Sequence, residues 1–431
     1  MGNEIRHIYP LLLAHPVVST DSRQVKPGSI FFALRGETYN GNEFAVRALE
    51  SGASYAVVDE PELAVNPSCI VVDDVLSTLQ TLSQHHRRQF NIPVIAVTGS
   101  NGKTTTKELI YGVLSTKFNT LATRGNLNNH IGVPLTLLHI TSETEIAIIE
   151  MGANHGGEID FLCNIAQPGF GLITNIGKAH LEGFGGFEGV IRAKTELYQF
   201  IRNSGGTIFL NNEDDLLKQH AAGITAITYG ESPADLAAIN TSATPCVTID
   251  MQLNDSSSLR VESNLFGRYN EGNILAAACI GQHFKVPRDA IRSAIEEYQP
   301  GNNRSQVTRT RRNLLILDAY NANPTSMKAA IEAFTTSDYP EKMVILGDML
   351  ELGIDSDHEH QVILDLLAQL TFKNVYLVGP IFTRLNTNRE NICFQDSLLA
   401  KLWFEHHRIE NATLLIKGSR GITLEQLVDV L

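Results

Sequence analysis

The sequence predicts an α/β protein of three domains, and three observations carry that reading. Its 431 residues exceed what a single core usually organises. Short apolar runs alternate with helical stretches over residues 92–300 and again over 301–431, the pattern of parallel sheets covered on both faces. Between the first strand of the middle part and its helix lies a glycine-rich turn, Gly99-Ser-Asn-Gly-Lys-Thr-Thr105. The domains are expected at 1–78, 79–300 and 301–431.

In the first domain, strands are expected at 29–34, 55–58 and 69–72, with a helix over 42–51 and another from 75 to 90. Asp21-Ser22-Arg23 stands beside a strand, where a loop meets a ligand as readily as it turns the chain. In the middle domain a strand over 92–98 feeds the glycine turn, and a helix follows from Lys103 to Lys117. Leu109, Ile110, Val113 and Leu114 form one apolar face of that helix. Strands over 145–149 and 170–174 end in Glu150 and in the stretch from Asn175 to His180. A helix over 187–201 places Val190, Lys194, Leu197 and Ile201 on one face. Residues 203–265 are richer in β-structure, with a hairpin around 254–258, before a helix resumes over 270–279. The last domain has strands at 314–317, 343–346, 375–378 and 414–416. Its helical stripes are Met327, Ala330, Ile331, Phe334 and Leu424, Leu427, Val428, Leu431. This is a small Rossmann-like unit, and without G-x-G-x-x-G it has no dinucleotide role.

Composition narrows the class. An apolar fraction of 43% and a charged fraction of 19% are those of a globular protein, and a formal charge of −13 argues against a nucleic-acid surface. No run approaches the length of a membrane span, and Leu11-Leu12-Leu13-Ala14 is too short for a signal peptide. Five scattered cysteines without a C-x-x-C spacing suggest incidental thiols in a reducing cytoplasm.

The glycine turn carries the strongest chemical signal. Strand, turn, lysine and helix in that order aim backbone N–H groups at one spot, where the helix dipole adds positive potential. Lys103 adds a full charge, and the Thr104 hydroxyl is a ligand for Mg²⁺. The turn is shorter than the common P-loop, whose first glycine falls on Val97. Glu150, at a strand end beside this turn, suits a divalent cation, although such residues are ordinarily solvated. A lone histidine such as His180 is more often structural. Lys194 lies on an apolar face, where it either snorkels to water or is desolvated into a neutral amine able to capture CO₂. Asn270 and Asn273, three apart, face one ligand or cap a helix. Asp318-Ala-Tyr320-Asn321-Ala-Asn323-Pro follows a strand, as does Lys417-Gly-Ser-Arg-Gly421, which suggests an anion nest. Most of the four arginines between Arg304 and Arg312 are expected in solvent. The adjacent pairs His85-His86 and His406-His407 diverge on a helix and make poor metal sites.

Together these motifs resemble the Mur ligases, the ATP-dependent family that extends the peptidoglycan stem peptide. The short ATP loop is similar in folylpolyglutamate synthases. Gly125-Asn-Leu-Asn-Asn129, Ile131-Gly-Val-Pro, Glu150-Met-Gly-Ala, His180-Leu-Glu-Gly-Phe-Gly and Ala193-Lys194-Thr-Glu resemble the branch that adds D-alanyl-D-alanine. So do Asp318-Ala-Tyr-Asn-Ala-Asn-Pro and Gly347-Asp-Met-Leu-Glu-Leu-Gly353. The resemblance implies an N-terminal domain for the UDP-sugar, a central ATPase and a C-terminal domain that closes over the site. It implies ATP and Mg²⁺, with UDP-MurNAc-tripeptide and D-Ala-D-Ala as substrates, in a cytoplasmic monomer with no nucleic acid and no membrane insertion. Gly99, Ser100, Asn101, Gly102, Lys103, Thr104 and Thr105 would hold the nucleotide phosphates. Asn270 and Asn273 would meet the adenine, with Arg304 and Asp318 reaching the nucleotide from the closing domain. Thr104 and Glu150 would hold one cation, His180 and a carbamylated Lys194 a second. Ser22, Arg23, Asn126, Asn129, Tyr320, Asn321 and Asn323 would contact the other substrates. The arginine motif Asn302-Asn-Arg304 departs from the family's Gly-Arg, and 203–265 receives no site. The alternative is a related ligase that adds a different amino acid, to a stem peptide or to folate.

Overall fold

Three sheets follow one another along the chain in the computed structural model, which describes residues 3–253, 256–301 and 303–431. The first has four parallel strands in the order Val18–Ser19, Ile30–Phe32, Tyr55–Val58, Cys69–Val71. Side-chain alternation decides its two faces: Ile30 and Phe32 pack under helices Asn3–Ala14 and Val75–Arg87, while Phe31 packs with Ala45, Ala48 and Val58. The helix expected over 42–51 is divided. Asn40 accepts a bond from the Asn42 N–H and caps a 3₁₀ turn, Gly41–Phe44, and the α-helix begins only at Ala45. Residue 78 lies inside helix Val75–Arg87, which is continuous. Val75, Leu79 and Leu82 belong to the N-terminal core, while the Arg87 guanidinium donates to Ala166 O in the middle domain at 3.0 Å.

The middle sheet has nine strands among the described residues. Seven are parallel: Thr120–Ala122, Ile146–Glu150, Val94–Thr98, Phe170–Ile173, Thr207–Asn211, Thr225–Glu231 and Leu236–Ala243. Two antiparallel strands, Cys246–Gln252 and Ser258–Phe266, finish the edge. They form the expected hairpin with Gln252 opposite Ser258, although Asn254 and Asp255 at its turn lie outside the described residues. Val94–Thr98 lies between Phe170–Ile173 and Ile146–Glu150 and is buried on both faces, as a doubly covered parallel strand must be. Helix Lys103–Ser115 covers one face through Leu109, Ile110, Val113 and Leu114, and helix Phe187–Ser204 covers the other through Val190, Leu197 and Ile201.

The third sheet runs Gln306–Arg309, Leu314–Asp318, Thr413–Lys417, Lys342–Gly347, Asn374–Val378, Ile392–Phe394, parallel except for its first strand. Met327, Ala330, Ile331 and Phe334 bury the inner face of helix Pro324–Thr336. Leu424–Val430 is 3₁₀ rather than α-helical. Its period of three brings Leu424 and Leu427 inward and leaves Val428 partly exposed. The five cysteines are free thiols, and no described helix is long and apolar enough to cross a membrane.

Candidate active site

Loops from the C-terminal ends of three neighbouring strands, Val94–Thr98, Ile146–Glu150 and Phe170–Ile173, meet at one point, where open α/β sheets bind ligands. The glycine loop owes its shape to two residues with positive φ. Gly99 has φ 140°, and a Cβ there would stand 2.0 Å from Thr174 Oγ1; Gly102, at φ 79°, caps helix Lys103–Ser115 and abuts the Asn273 amide. Ser100 N donates to Asn175 O at 2.9 Å and Asn101 N to Asn175 Oδ1 at 3.1 Å, so the loop is pinned to its neighbour. The first N–H groups of the helix have no intrahelical partner and face the cleft, an anion cradle. Lys103 folds over that cradle, with Nζ donating to Gly99 O at 2.7 Å and Ser100 O at 3.2 Å. Burial draws its amine down to about 8, against the attraction of Glu150.

Glu150 closes the other side of the loop. Its Oε1 accepts from Thr104 Oγ1 at 3.2 Å and from Asn128 Nδ2 at 2.8 Å, while its Oε2 is buried with no hydrogen-bond partner. A buried carboxylate oxygen left bare beside a threonine hydroxyl fits a hard cation such as Mg²⁺. Among the described residues no three His, Cys, Asp or Glu side chains gather as a metal cluster. That sparse donor set suits Mg²⁺, which takes one or two protein ligands and fills its shell with phosphate oxygens and water.

Lys194 is 1% exposed and stands behind the cleft wall, its Nζ 3.4 Å from Ala153 O and 5.3 Å from the centre of the Phe184 ring. Burial first, then repulsion from Lys103, lowers it to about 7, against the pull of Glu158 and Glu196. It does not snorkel. Desolvation thus favours the neutral amine, the form that carbamylation requires.

Lys103, Thr104, Asn128 and Glu150 border a cleft of about 820 Å³ between the middle and C-terminal domains, which Lys194 does not line. Ser100 to Thr105, Asn126, Asn129, Glu150, His180, Asn270, Asn273, Arg304, Asp318, Tyr320, Asn321 and Asn323 all line it. Asn270 and Asn273 are tied to each other rather than left free for a ligand. Thr106 Oγ1 donates to Asn273 Oδ1, and Asn273 Nδ2 donates to Asn270 Oδ1. Asn270 makes no side-chain cap. Arg304 stacks 3.6 Å from the centre of the Tyr320 ring, its Nε buried and unpartnered; Arg309 and Arg311 are exposed. Its neighbour Asn302 lies outside the described residues. Lys417 forms a buried ion pair with Asp318 instead of an open anion nest. Ser22 and Arg23 are not part of the cleft, and Arg23 pairs with Asp21 at 2.9 Å in the N-terminal domain.

Comparison with known proteins bears on the whole chain. Residues 16–98 match the Mur ligase family catalytic domain, 97–281 the Mur ligase middle domain and 303–399 the Mur ligase glutamate ligase domain. The UDP-N-acetylmuramoyl-tripeptide–D-alanyl-D-alanine ligase of Bacillus subtilis is 33% identical, covering 95% of this chain and 92% of that protein. The chain belongs to the Mur ligase family. Among solved structures, MurF from Acinetobacter baumannii is similar with a TM-score of 0.87 at 34% identity, over 96% of this chain and 92% of that one. The MurF ligase from Thermotoga maritima in complex with ADP gives a TM-score of 0.85 at 25% identity, over 100% and 98%.

In this Mur ligase the C-terminal domain touches the glycine loop: Asn323 Nδ2 donates to Asn101 Oδ1 at 2.7 Å. Lys178 pairs with Glu359 at 2.5 Å and donates its backbone N–H to Thr325 Oγ1 at 3.1 Å. Sequence reasoning missed Asn128, which buttresses Glu150, and Tyr269, which lines the cleft and bonds Ser305 Oγ at 3.0 Å. Nothing in the Gly125–Asn129 run distinguishes Asn128 from the asparagines beside it. Tyr269 stands next to a recognised residue and carries no motif of its own.

Proposed function

We propose that this Mur ligase joins D-alanyl-D-alanine to UDP-MurNAc-tripeptide, releasing ADP and phosphate and forming the pentapeptide precursor of peptidoglycan. The observation that carries this reading is the bare Glu150 carboxylate beside Thr104 and the Lys103 cradle, facing the closing domain across one cleft. The γ-phosphoryl of ATP passes to the free carboxylate of the tripeptide, and the amine of the dipeptide displaces phosphate from the resulting acyl phosphate. Lys103 and the N–H groups of the helix offset charge on the transferring oxygens. Thr104 and Glu150 would hold Mg²⁺, which spreads charge on the phosphates, and His180 with a carbamate on Lys194 would hold a second ion. Asn270 and Asn273 shape the adenine wall, with Arg304 and Asp318 above the nucleotide. Asn126, Asn129, Tyr320, Asn321 and Asn323 suit the tripeptide and the dipeptide. Ser22 and Arg23 suit the uridine end, away from the chemistry. Contacts between Asn101 and Asn323 favour a closed arrangement that keeps water from the acyl phosphate.

The three domains serve this division of labour, with the first boundary moved from 78 to the end of helix Val75–Arg87. A cytoplasmic monomer suits soluble nucleotide substrates. A ligase that adds a different amino acid has less support, because the full-length relatives carry the D-alanyl-D-alanine name.

Phosphate release with Mg-ATP, measured with and without D-Ala-D-Ala, tests the proposal. UDP-MurNAc-tripeptide ending in lysine or in diaminopimelate supplies the acceptor. Release that requires the dipeptide, with a pentapeptide mass, is the expected result. Absence of release with both acceptors, alongside turnover with another amine, would overturn it.

A further inference from the structure

The motif at residues 347–353 has no task in the reaction proposed above, yet its loop crosses from the third sheet to the middle domain. Asp348, fully buried, anchors the loop: its carboxylate accepts from the N–H groups of Ile381 at 2.8 Å and Phe382 at 2.9 Å. Met349 N donates to His360 Nε2 at 3.0 Å, and Leu350 N donates to Ser419 Oγ at 2.9 Å. From that anchor Glu351 turns back with φ 62°, and the Glu182 N–H donates to its carbonyl at 3.3 Å. Gly353 allows the close approach, since a Cβ there would stand 3.2 Å from Glu182 Cβ. The Glu351 carboxylate meets Nδ1 of His180, itself left-handed at φ 53°. Two non-glycine residues held in that region and facing each other mark a place where the surroundings enforce geometry.

The pair is a poor stability device. The Glu351 side chain is 57% exposed, and exposed ion pairs contribute little. The neighbouring Lys178–Glu359 pair, with Glu359 buried, already ties the domains together. What a carboxylate at Nδ1 does decide is the tautomer: the ring proton stays on Nδ1, and Nε2 keeps its lone pair. We propose that Glu351, delivered by the closing domain, is a positioning residue that holds His180 in the tautomer able to bind a cation. The second cation site is then complete only when the two domains are together. The inference rests on the reading of His180 as a metal ligand.

The test uses the full chain with ADP and MnCl₂. Bound Mn²⁺ is counted by electron paramagnetic resonance, and tautomers are read by NMR of ¹⁵N-histidine protein, with His180→Ala identifying the resonance. Glu351→Ala is expected to weaken the His180-dependent Mn²⁺ site about tenfold or more and to shift His180 to mixed tautomers. Glu351→Gln, whose amide oxygen still accepts from Nδ1, should retain most of the affinity. Glu359→Ala should leave the tautomer unchanged. Wild-type Mn²⁺ binding and tautomer in Glu351→Ala, while His180→Ala loses the site, would overturn the inference alone. Equal losses in Glu351→Ala and Glu359→Ala with an unaltered tautomer would assign the effect to closure and overturn it too. Undiminished Mn²⁺ binding in His180→Ala would refute the metal reading itself, and the inference with it.

Discussion

Replacing Lys194 by methionine separates what burial of this amine costs the fold from what it gives the site. Methionine is unbranched and of similar length, so the packing around it is largely kept. In the folded protein the amine sits at about 7, against 10.5 for an exposed lysine. Below pH 7 it is charged in both states, and folding carries the full desolvation penalty. Between these values the unfolded chain binds a proton that the folded chain does not, so stability rises with pH. At 1.4 kcal/mol per pH unit, the gap corresponds to about 5 kcal/mol at the acidic end and about 2 kcal/mol at pH 9. Wild type should therefore gain about 3 kcal/mol relative to Lys194→Met between pH 6 and pH 9. Urea unfolding followed by circular dichroism, in CO₂-free buffer so that the free amine is measured, reads this directly. The variant should be the more stable protein at pH 6 and inactive in dipeptide-dependent phosphate release. Parallel stability curves would refute the burial argument, and full activity would remove Lys194 from the chemistry.

Three further substitutions probe the cradle. Lys103→Met tests the proposed phosphate contact: loss of a charged donor corresponds to about 2–3 kcal/mol, so a loss of ADP affinity of roughly 30- to 150-fold by calorimetry is expected. Unchanged affinity would mean that the lysine stays folded on its own loop. Glu150→Gln should raise the Mg²⁺ concentration for half-maximal phosphate release by about tenfold or more, and an unmoved Mg²⁺ curve would place the cation elsewhere. Gly99→Ala drives a Cβ into Thr174 at a positive φ and should cost about 2–4 kcal/mol in urea unfolding; wild-type stability would show that this loop is not tightly constrained.

Local pattern alone determined much of this protein. The turn at Gly99–Thr105 was legible as a strand-to-helix glycine turn because strand, glycines, lysine and helix are contiguous, and each contributes through its own backbone. Lys194 announced its place on the apolar face of its helix because a period of 3.6 sets it, but only the fold decided that it is buried rather than snorkelling to water. The stripe from Met327 to Phe334 likewise needed no knowledge of its partner. Other features depend on what the fold brings across. Asn128 meets Glu150 from 22 positions away, Lys417 meets Asp318 from 99, and Glu351 reaches His180 from another domain. Nothing in the spacing of these residues encodes such meetings, because they depend on strand order and domain packing. The same limit applies to Asn270 and Asn273, whose spacing predicted two amides on one face but not that they bond each other. Sequence assigns chemistry to segments. Only tertiary structure decides which buried groups satisfy one another, and which, like the second oxygen of Glu150, are left without a partner.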